Sequence, residues 1–321
     1  MRIYLQKKGY AEPQVGDIIQ YNTKVIKVSE PVAKDIFKLT FKDDTVVYTS
    51  NDQVWTYYGY GYGGIRREFT TTFEEFYKKA SLKDLTTTNY DFPALTTPYN
   101  FTGTKYTIHP LLAGYISASS RYTKINARYL NELYKLFNLP QCSFVAKKRL
   151  LEYMKESWWK ADKFNPRTVY IPDEIKYGSI TCRKSFLQGL FLNKGKADKG
   201  KNKIIFRTSS KVFADDLIWL IKSMGSRARK RKEIHNVHVW VVTIELNDAI
   251  FYTTSGKLRN GLVNYEDGTV YLKRLRSIQY VGQRYWSEIY TTGPYANKDF
   301  VLVRGDLFGK SEKDKSTGIQ V

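Results

Sequence analysis

The 321-residue chain has few of the residues that build covalent cross-links or metal centres. It contains two cysteines, Cys142 and Cys182, which are too few for a disulfide framework or a four-sulfur zinc site. It contains three histidines, and His235 and His238 lie three residues apart in a strand-like run, which directs them to opposite faces. The sequence therefore predicts two buried thiols and no metal site.

Long apolar runs are also absent. No stretch approaches the roughly 18 consecutive apolar residues of a membrane span, and the N-terminal segment lacks the apolar core of a signal peptide. We therefore expect no membrane partner and a cytoplasmic location. Hydrophobic residues make up 42% of the chain and aromatic residues 15%, which is typical of a folded protein.

Positive charge is the strongest feature of the composition. The chain has 52 Lys and Arg against 31 Asp and Glu, a net charge of +21. A surface with such an excess attracts polyanions over long distances. Nucleic acid is therefore the first partner that the sequence suggests.

The pattern of apolar residues divides the chain into parts of different character. Residues 15–58 alternate short β-rich runs with turns, and this pattern returns after residue 251. Residues 107–250 have helical periodicity at 127–139, 146–159 and 211–225. The sequence predicts an α+β fold in which a β unit is split by an α/β insertion.

The helix predicted at 211–225 has clear signals at both ends. Ser209 or Ser210 is suited to cap its N-terminus, and Gly225 is suited to end it. Phe213, Leu217, Leu220, Ile221 and Met224 fall at helical spacing and indicate one buried face.

Two segments of the insertion resemble the paired motifs of the LAGLIDADG (DOD-type) homing endonucleases. They are residues 112–120 (LAGYISASS) and residues 187–195 (LQGLFLNKG). The resemblance implies two motif helices that pack closely where Ala113, Gly114 and Gly189 leave room. It also implies two αββαββα-type halves, of which the first is degenerate, a saddle-shaped DNA-binding sheet, and a monomer that binds double-stranded DNA.

The family cleaves DNA with Mg²⁺ held by one acid near the end of each motif, because carboxylate oxygens bind this ion. At those positions this chain has Ser119 and Lys194. Neither side chain replaces a metal-binding carboxylate, so we expect no cofactor and no cleavage by the family mechanism. Asp198 could supply one carboxylate only in an unconventional arrangement.

The flanking β segments resemble the two halves of a Hint domain, the splicing fold of inteins. By this resemblance Asp52 occupies the position of an activating histidine, and Gly309 and Lys310 replace the final His-Asn pair. We therefore expect no protein splicing. The implied boundaries are 1–66 and 251–310 for the Hint-like halves, 67–106 for a linker or insert, 107–250 for the endonuclease-like domain, and 311–321 for a flexible tail.

Basic residues are concentrated in the insertion. Residues 181–232 contain 15 Lys and Arg against three Asp, a net charge of +12. By the family resemblance this region forms the DNA-binding sheet. The DNA-binding residues that we predict are Lys196, Lys199, Lys201, Lys203, Arg207, Arg227, Arg229, Lys230, Arg231 and Lys232.

The sequence leaves three interpretations open. The first is a DNA-binding protein of homing-endonuclease ancestry, inactive in cleavage and splicing, that acts on the nucleoid of a cell hosting a phage or mobile element. The second is an active site-specific endonuclease with unconventional metal ligands. The third is a structural or interaction protein that uses its basic surface on RNA or on an acidic partner.

Overall fold

The computed structural model shows a mixed α/β chain, which agrees with the α+β class at this coarse level. The structure describes residues 3–5, 7–19, 23–60, 66–82, 85, 89–94, 99, 101–102, 106, 109–118, 134–135, 169–194, 196–198, 203–234, 238–247, 262–263, 271–292, 295–296 and 302–303. The chain forms two compact units. We call Met1–Phe101 with Asp267–Val321 the split unit, and Thr102–Glu266 the central unit.

The split unit is mainly β-structure. Its strands are β1 (Ile3–Leu5), β2 (Gly9–Ala11), β3 (Val25–Val28), β4 (Val32–Phe41), β5 (Val46–Ser50), β6 (Val54–Tyr60), β7 (Arg66–Thr72), β8 (Asp91–Ala94), β14 (Tyr271–Trp286), β15 (Ile289–Thr291), β16 (Tyr295–Ala296) and β17 (Leu302–Val303), and its helix is α1 (Phe73–Ser81). The largest sheet has the order β5-β4-β14-β8-β6-β7. The long strand β14 therefore joins the C-terminal part of the chain to the N-terminal strands.

Aromatic side chains fill the core of the split unit. Trp55, Phe73, Phe76 and Phe92 are almost fully buried and pack against one another. The indole Nε1 of Trp55 donates a buried hydrogen bond of 2.9 Å to Oγ1 of Thr49. A buried polar group is tolerated here because it has a partner.

The structure differs from the sequence prediction at residues 67–106. Strands β7 and β8 and helix α1 lie in the split unit, and β7 pairs with β6 along its whole length. The β-branched run of threonines at 70–72 favours a strand. The hydroxyl of Thr72 then caps α1 by accepting a hydrogen bond from the backbone of Glu75.

The central unit combines helices on one face of an antiparallel sheet. Its elements are α2 (Pro110–Ser117), α3 (Asp173–Lys176), α4 (Ile180–Lys194), β9 (Lys196–Asp198), β10 (Lys203–Thr208), α5 (Lys211–Ser223), β11 (Arg227–Ile234), β12 (His238–Asn247) and β13 (Leu262–Val263). The antiparallel strands have the order β11-β12-β10-β9, and β13 runs parallel to the end of β12. A single apolar core joins α2, α4 and α5 to one face of β10 and β12.

The predicted helix at 211–225 is confirmed as α5. The hydroxyl of Ser210 accepts a hydrogen bond of 3.0 Å from the backbone of Phe213, and Gly225 has a positive φ of 74° after the helix ends. The helices predicted at 127–139 and 146–159 lie almost entirely outside the described residues. Within the described ranges, no helix is long and apolar enough to cross a membrane.

Candidate nucleic-acid interface

The motif helices α2 and α4 pack at very short range. A Cβ atom added to Gly114 would lie 1.9 Å from the carbonyl oxygen of Phe186, and one added to Gly189 would lie 1.9 Å from that of Leu111. Ala113, beside the first glycine, is fully buried. The two glycines are therefore required for the close contact of these backbones.

The ends of the two helices lie next to each other. The side-chain amide of Asn193 near the end of α4 donates a hydrogen bond of 2.6 Å to the carbonyl of Tyr115 in α2. Lys194 is the last residue of α4. Although its side chain reaches solvent, desolvation lowers the pKa of its ammonium group. A protonated ammonium group has no lone pair for a metal ion, so Lys194 does not replace the metal-binding acid of the motif.

The structure gives no group of three or more metal-ligating side chains among the described residues. Ser119, the other motif position, lies outside those residues. Asp198 lies in β9 with its backbone opposite Lys203. The prediction that cleavage is lost therefore stays a prediction.

The sheet of the central unit has two chemically different faces. Ile204, Phe206 and Ala228 point toward the helices and are buried in the core. The alternate residues point the other way. We call this second surface the outer face; its members are Lys203, Ile205, Arg207, Arg227, Arg229, Arg231, Glu233, Val239, Val241, Thr243 and Glu245.

Five cations and two carboxylates lie on the outer face, a net charge of +3. The side chains of Arg207 and Arg231 are 47% and 68% exposed. Arg229 is also exposed. Among the described residues, the helices lie on the opposite face of the sheet, so these guanidinium groups are exposed to solvent on three adjoining strands.

The predicted run of basic residues at 227–232 is divided between the two faces. Arg227, Arg229 and Arg231 lie on the outer face, whereas Lys230 lies on the helix side. The ammonium of Lys230 pairs with Asp215 of α5 and lies 5.1 Å from the ring centre of Trp240. Lys232 shares the strand parity of Lys230, so the structure separates both lysines from the three arginines.

The remaining predicted DNA-binding residues are divided between strands β9 and β10 and the part of the chain that is not described. Lys203 and Arg207 lie on the outer face in β10, and Lys196 lies in the edge strand β9. Lys199 and Lys201 lie outside the described residues. Glu233, Thr243 and Glu245 belong to the face but were not predicted. The alternation of residues along β11 and β12 is the signal that could have found them.

Arg183, counted with the basic region, is not on the surface at all. It is fully buried, and its guanidinium donates to the carbonyl of Gly178 and to both the carbonyl and the hydroxyl of Ser223. Burial lowers the pKa of Arg183 to about 9. Its cation thus stabilises the C-terminal end of α5, where carbonyls lack helix partners.

Comparison with known proteins assigns no family. No model of a protein family matches the chain, and no curated protein matches it significantly.

In the split unit, Asp52 lies in an ion cluster. Lys34 pairs with both Asp52 and Glu288, and the Lys34 and Glu288 side chains are largely buried. The hydroxyl of Tyr290 donates to Glu288 at 2.8 Å. Asp52 therefore forms a salt bridge, and its carboxylate does not replace the activating histidine that the Hint resemblance implies at this position. Gly309 and Lys310 lie outside the described residues.

Proposed function

We propose that this chain is a double-stranded DNA-binding protein of LAGLIDADG homing-endonuclease ancestry, carried in a degenerate intein-like frame and inactive in DNA cleavage and protein splicing. The proposal rests on the charge and exposure of the outer face of the central unit's sheet. This face presents five cations against two carboxylates on adjoining strands, and Arg207, Arg229 and Arg231 are exposed.

The shape of this face suits a DNA groove. The β11–β12 hairpin is a two-stranded ribbon, and the major groove of B-form DNA, about 12 Å wide, admits such a ribbon. Neighbouring strands are about 4.8 Å apart, so the hairpin fits between the two phosphate backbones. Duplex RNA has a deep and narrow major groove that side chains do not enter, so DNA is the favoured partner.

The helix pair and the element order support the proposed ancestry. Residues 180–247 follow the order helix, two strands, helix, two strands, as expected for one half of the family's fold. The close contact at Gly114 and Gly189 is the packing that the two motifs imply. Lys194 in place of a metal-binding acid supports the loss of cleavage, and the Asp52 salt bridge supports the loss of splicing.

A salt-dependent binding titration tests the proposal. Fluorescence anisotropy with a labelled random-sequence DNA duplex, at roughly 50 to 200 mM salt and with Mg²⁺ present, measures the slope of log affinity against log salt. Each neutralised phosphate contributes about −0.9, so we expect a slope between about −3 and −5 from three to five contacts. The recovered DNA should remain uncut on a gel.

A parallel titration with duplex RNA serves as the comparison. Weaker binding to RNA than to DNA supports a groove-binding ribbon. Equal affinity for both would instead support a general polyanion-binding surface. Cut DNA would show that the assignment of an inactive centre is wrong, and no binding to DNA at low salt would refute the proposal.

A further inference from the structure

The five cations of the outer face are not equivalent, because two glutamates divide them into groups. Glu245 contacts Lys203 at 3.0 Å and Arg227 at 3.9 Å from the two neighbouring strands. Glu233 contacts Arg231 at 2.7 Å and Arg207 at 3.6 Å. Each carboxylate therefore holds two cations on the sheet.

In the strand register, the two groups of ion pairs lie on either side of a middle row that is formed by Arg229, Thr243 and Ile205. Arg227 lies opposite Glu245, and Arg231 lies opposite Val241. Between them Arg229 lies opposite Thr243, which in turn lies opposite Ile205. Among the described residues Arg229 has no acidic partner. Among the described residues, it is the one cation of the outer face that forms no ion pair with Glu233 or Glu245.

We propose that Glu233 and Glu245 are positioning residues that hold four cations against the sheet and leave Arg229 as the side chain that reads a base pair in the DNA groove. This inference rests on the proposed DNA-binding function. A paired cation loses conformational freedom and part of its attraction for phosphate. The four paired cations should therefore bind the phosphates of random-sequence DNA more weakly than unpaired cations would. The carboxylates also repel phosphates that approach in the wrong register.

The middle row has the chemistry of direct readout. A free guanidinium donates two parallel hydrogen bonds to O6 and N7 of guanine, the commonest specific contact in the major groove. The methyl group of Thr243 and the side chain of Ile205 offer apolar contact to the methyl group of thymine. The preferred DNA site should therefore contain a guanine facing Arg229, and thymine is expected nearby.

The test compares four single variants of the full chain with the wild type. Glu233→Gln and Glu245→Gln remove the proposed positioning charges, and Arg229→Ala removes the proposed reader. Glu74→Gln is the matched control, since Glu74 forms an exposed ion pair of 2.7 Å with Lys78 in α1 of the split unit. Circular dichroism melting curves establish that each variant is folded.

Each protein is used to select duplexes from a random-sequence DNA pool, and its affinity is then measured for the selected and the random duplex. For Glu233→Gln and Glu245→Gln, affinity for random DNA should rise about three- to tenfold and its salt slope should steepen by about one. Their preference for the selected sequence should fall. Arg229→Ala should lose about tenfold to a hundredfold in affinity for the selected duplex and lose the guanine preference at one position.

Three results would overturn the inference while leaving DNA binding intact. The glutamate variants could behave like Glu74→Gln or bind random DNA more weakly, Arg229→Ala could retain the guanine preference, or the wild type could select no sequence. A wild type that binds no duplex at all would refute the proposed function itself, and the inference with it.

Discussion

Replacing Gly189 by alanine should separate the two motif helices and destabilise the central unit. The new Cβ atom would lie 1.9 Å from the carbonyl oxygen of Leu111 and 2.9 Å from the backbone nitrogen of Tyr115. Carbon–oxygen contacts normally reach about 3.3 Å, so the helices must move apart by about 1.4 Å. The obstacle is backbone and cannot rotate away.

The size of the effect follows from the packing that this movement disturbs. Leu112, Ile116, Phe186 and Leu190 are almost fully buried along the two helices and would lose contact. Overpacking a core costs about 1 to 3 kcal/mol, and a backbone obstacle favours the upper end. At about 2 to 4 °C for each kcal/mol in a unit of this size, Tm should fall by about 6 to 12 °C.

Urea and thermal denaturation followed by circular dichroism measure the loss, and hydrogen exchange in residues 180–194 locates it. Gly59→Ala is the control, because its Cβ would meet the ring of Phe69 at an ordinary 3.5 Å. That variant should stay within about 1 kcal/mol of the wild type. If Gly189→Ala were as stable as Gly59→Ala, the close helix contact would be refuted.

Three further substitutions or reactions test other parts of the structure. Arg183→Met should cost about 2 to 4 kcal/mol in urea denaturation, because the buried carbonyl of Ser223 loses its donor; a loss below about 0.5 kcal/mol would contradict this. Trp55→Phe should lower the stability of the split unit by about 2 kcal/mol, since the buried bond to Thr49 disappears; an unchanged urea midpoint would count against that bond. Burial raises the pKa of the Cys182 thiol to about 12, which depletes the reactive thiolate at pH 8. Iodoacetamide should therefore modify Cys182 at least about a hundredfold more slowly in the folded protein than in the unfolded protein. Mass spectrometry of the peptide that contains Cys182 measures both rates. The native rate should rise with pH, and equal rates in both states would contradict the burial.

Local signals predicted local structure well. The cap at Ser210 and the stop at Gly225 fix the ends of α5, because both depend on hydrogen bonds and backbone angles within a few residues. The sequence predicts a linker or insert at residues 67–106, because the strand pairing of this segment is not local. Strand β8 pairs with β14 about 180 residues later, where Arg274 contacts Asp91. No short-range pattern encodes such a partner.

Composition predicts only which region of the chain is basic. Strand alternation in the structure then places Lys230 on the helix side, and burial removes Arg183 from the surface. The partners of Arg183 include Ser223, 40 residues away, which the sequence alone does not connect to it. Glu245 joins the face only through the register of β12 with β10 and β11.

The central claim, that the outer face binds duplex DNA, is tested most directly by two double variants that remove the same charge from different surfaces. One is Arg229→Ala with Arg231→Ala on the outer face, and the other is Lys78→Ala with Lys79→Ala on the exposed side of α1. The outer-face variant should bind a DNA duplex at least about tenfold more weakly at moderate salt, with a salt slope shallower by about 0.9 for the lost phosphate contact of Arg231. The α1 variant should stay within about twofold of the wild type. Equal losses in both variants, or no loss in either, would contradict the claim.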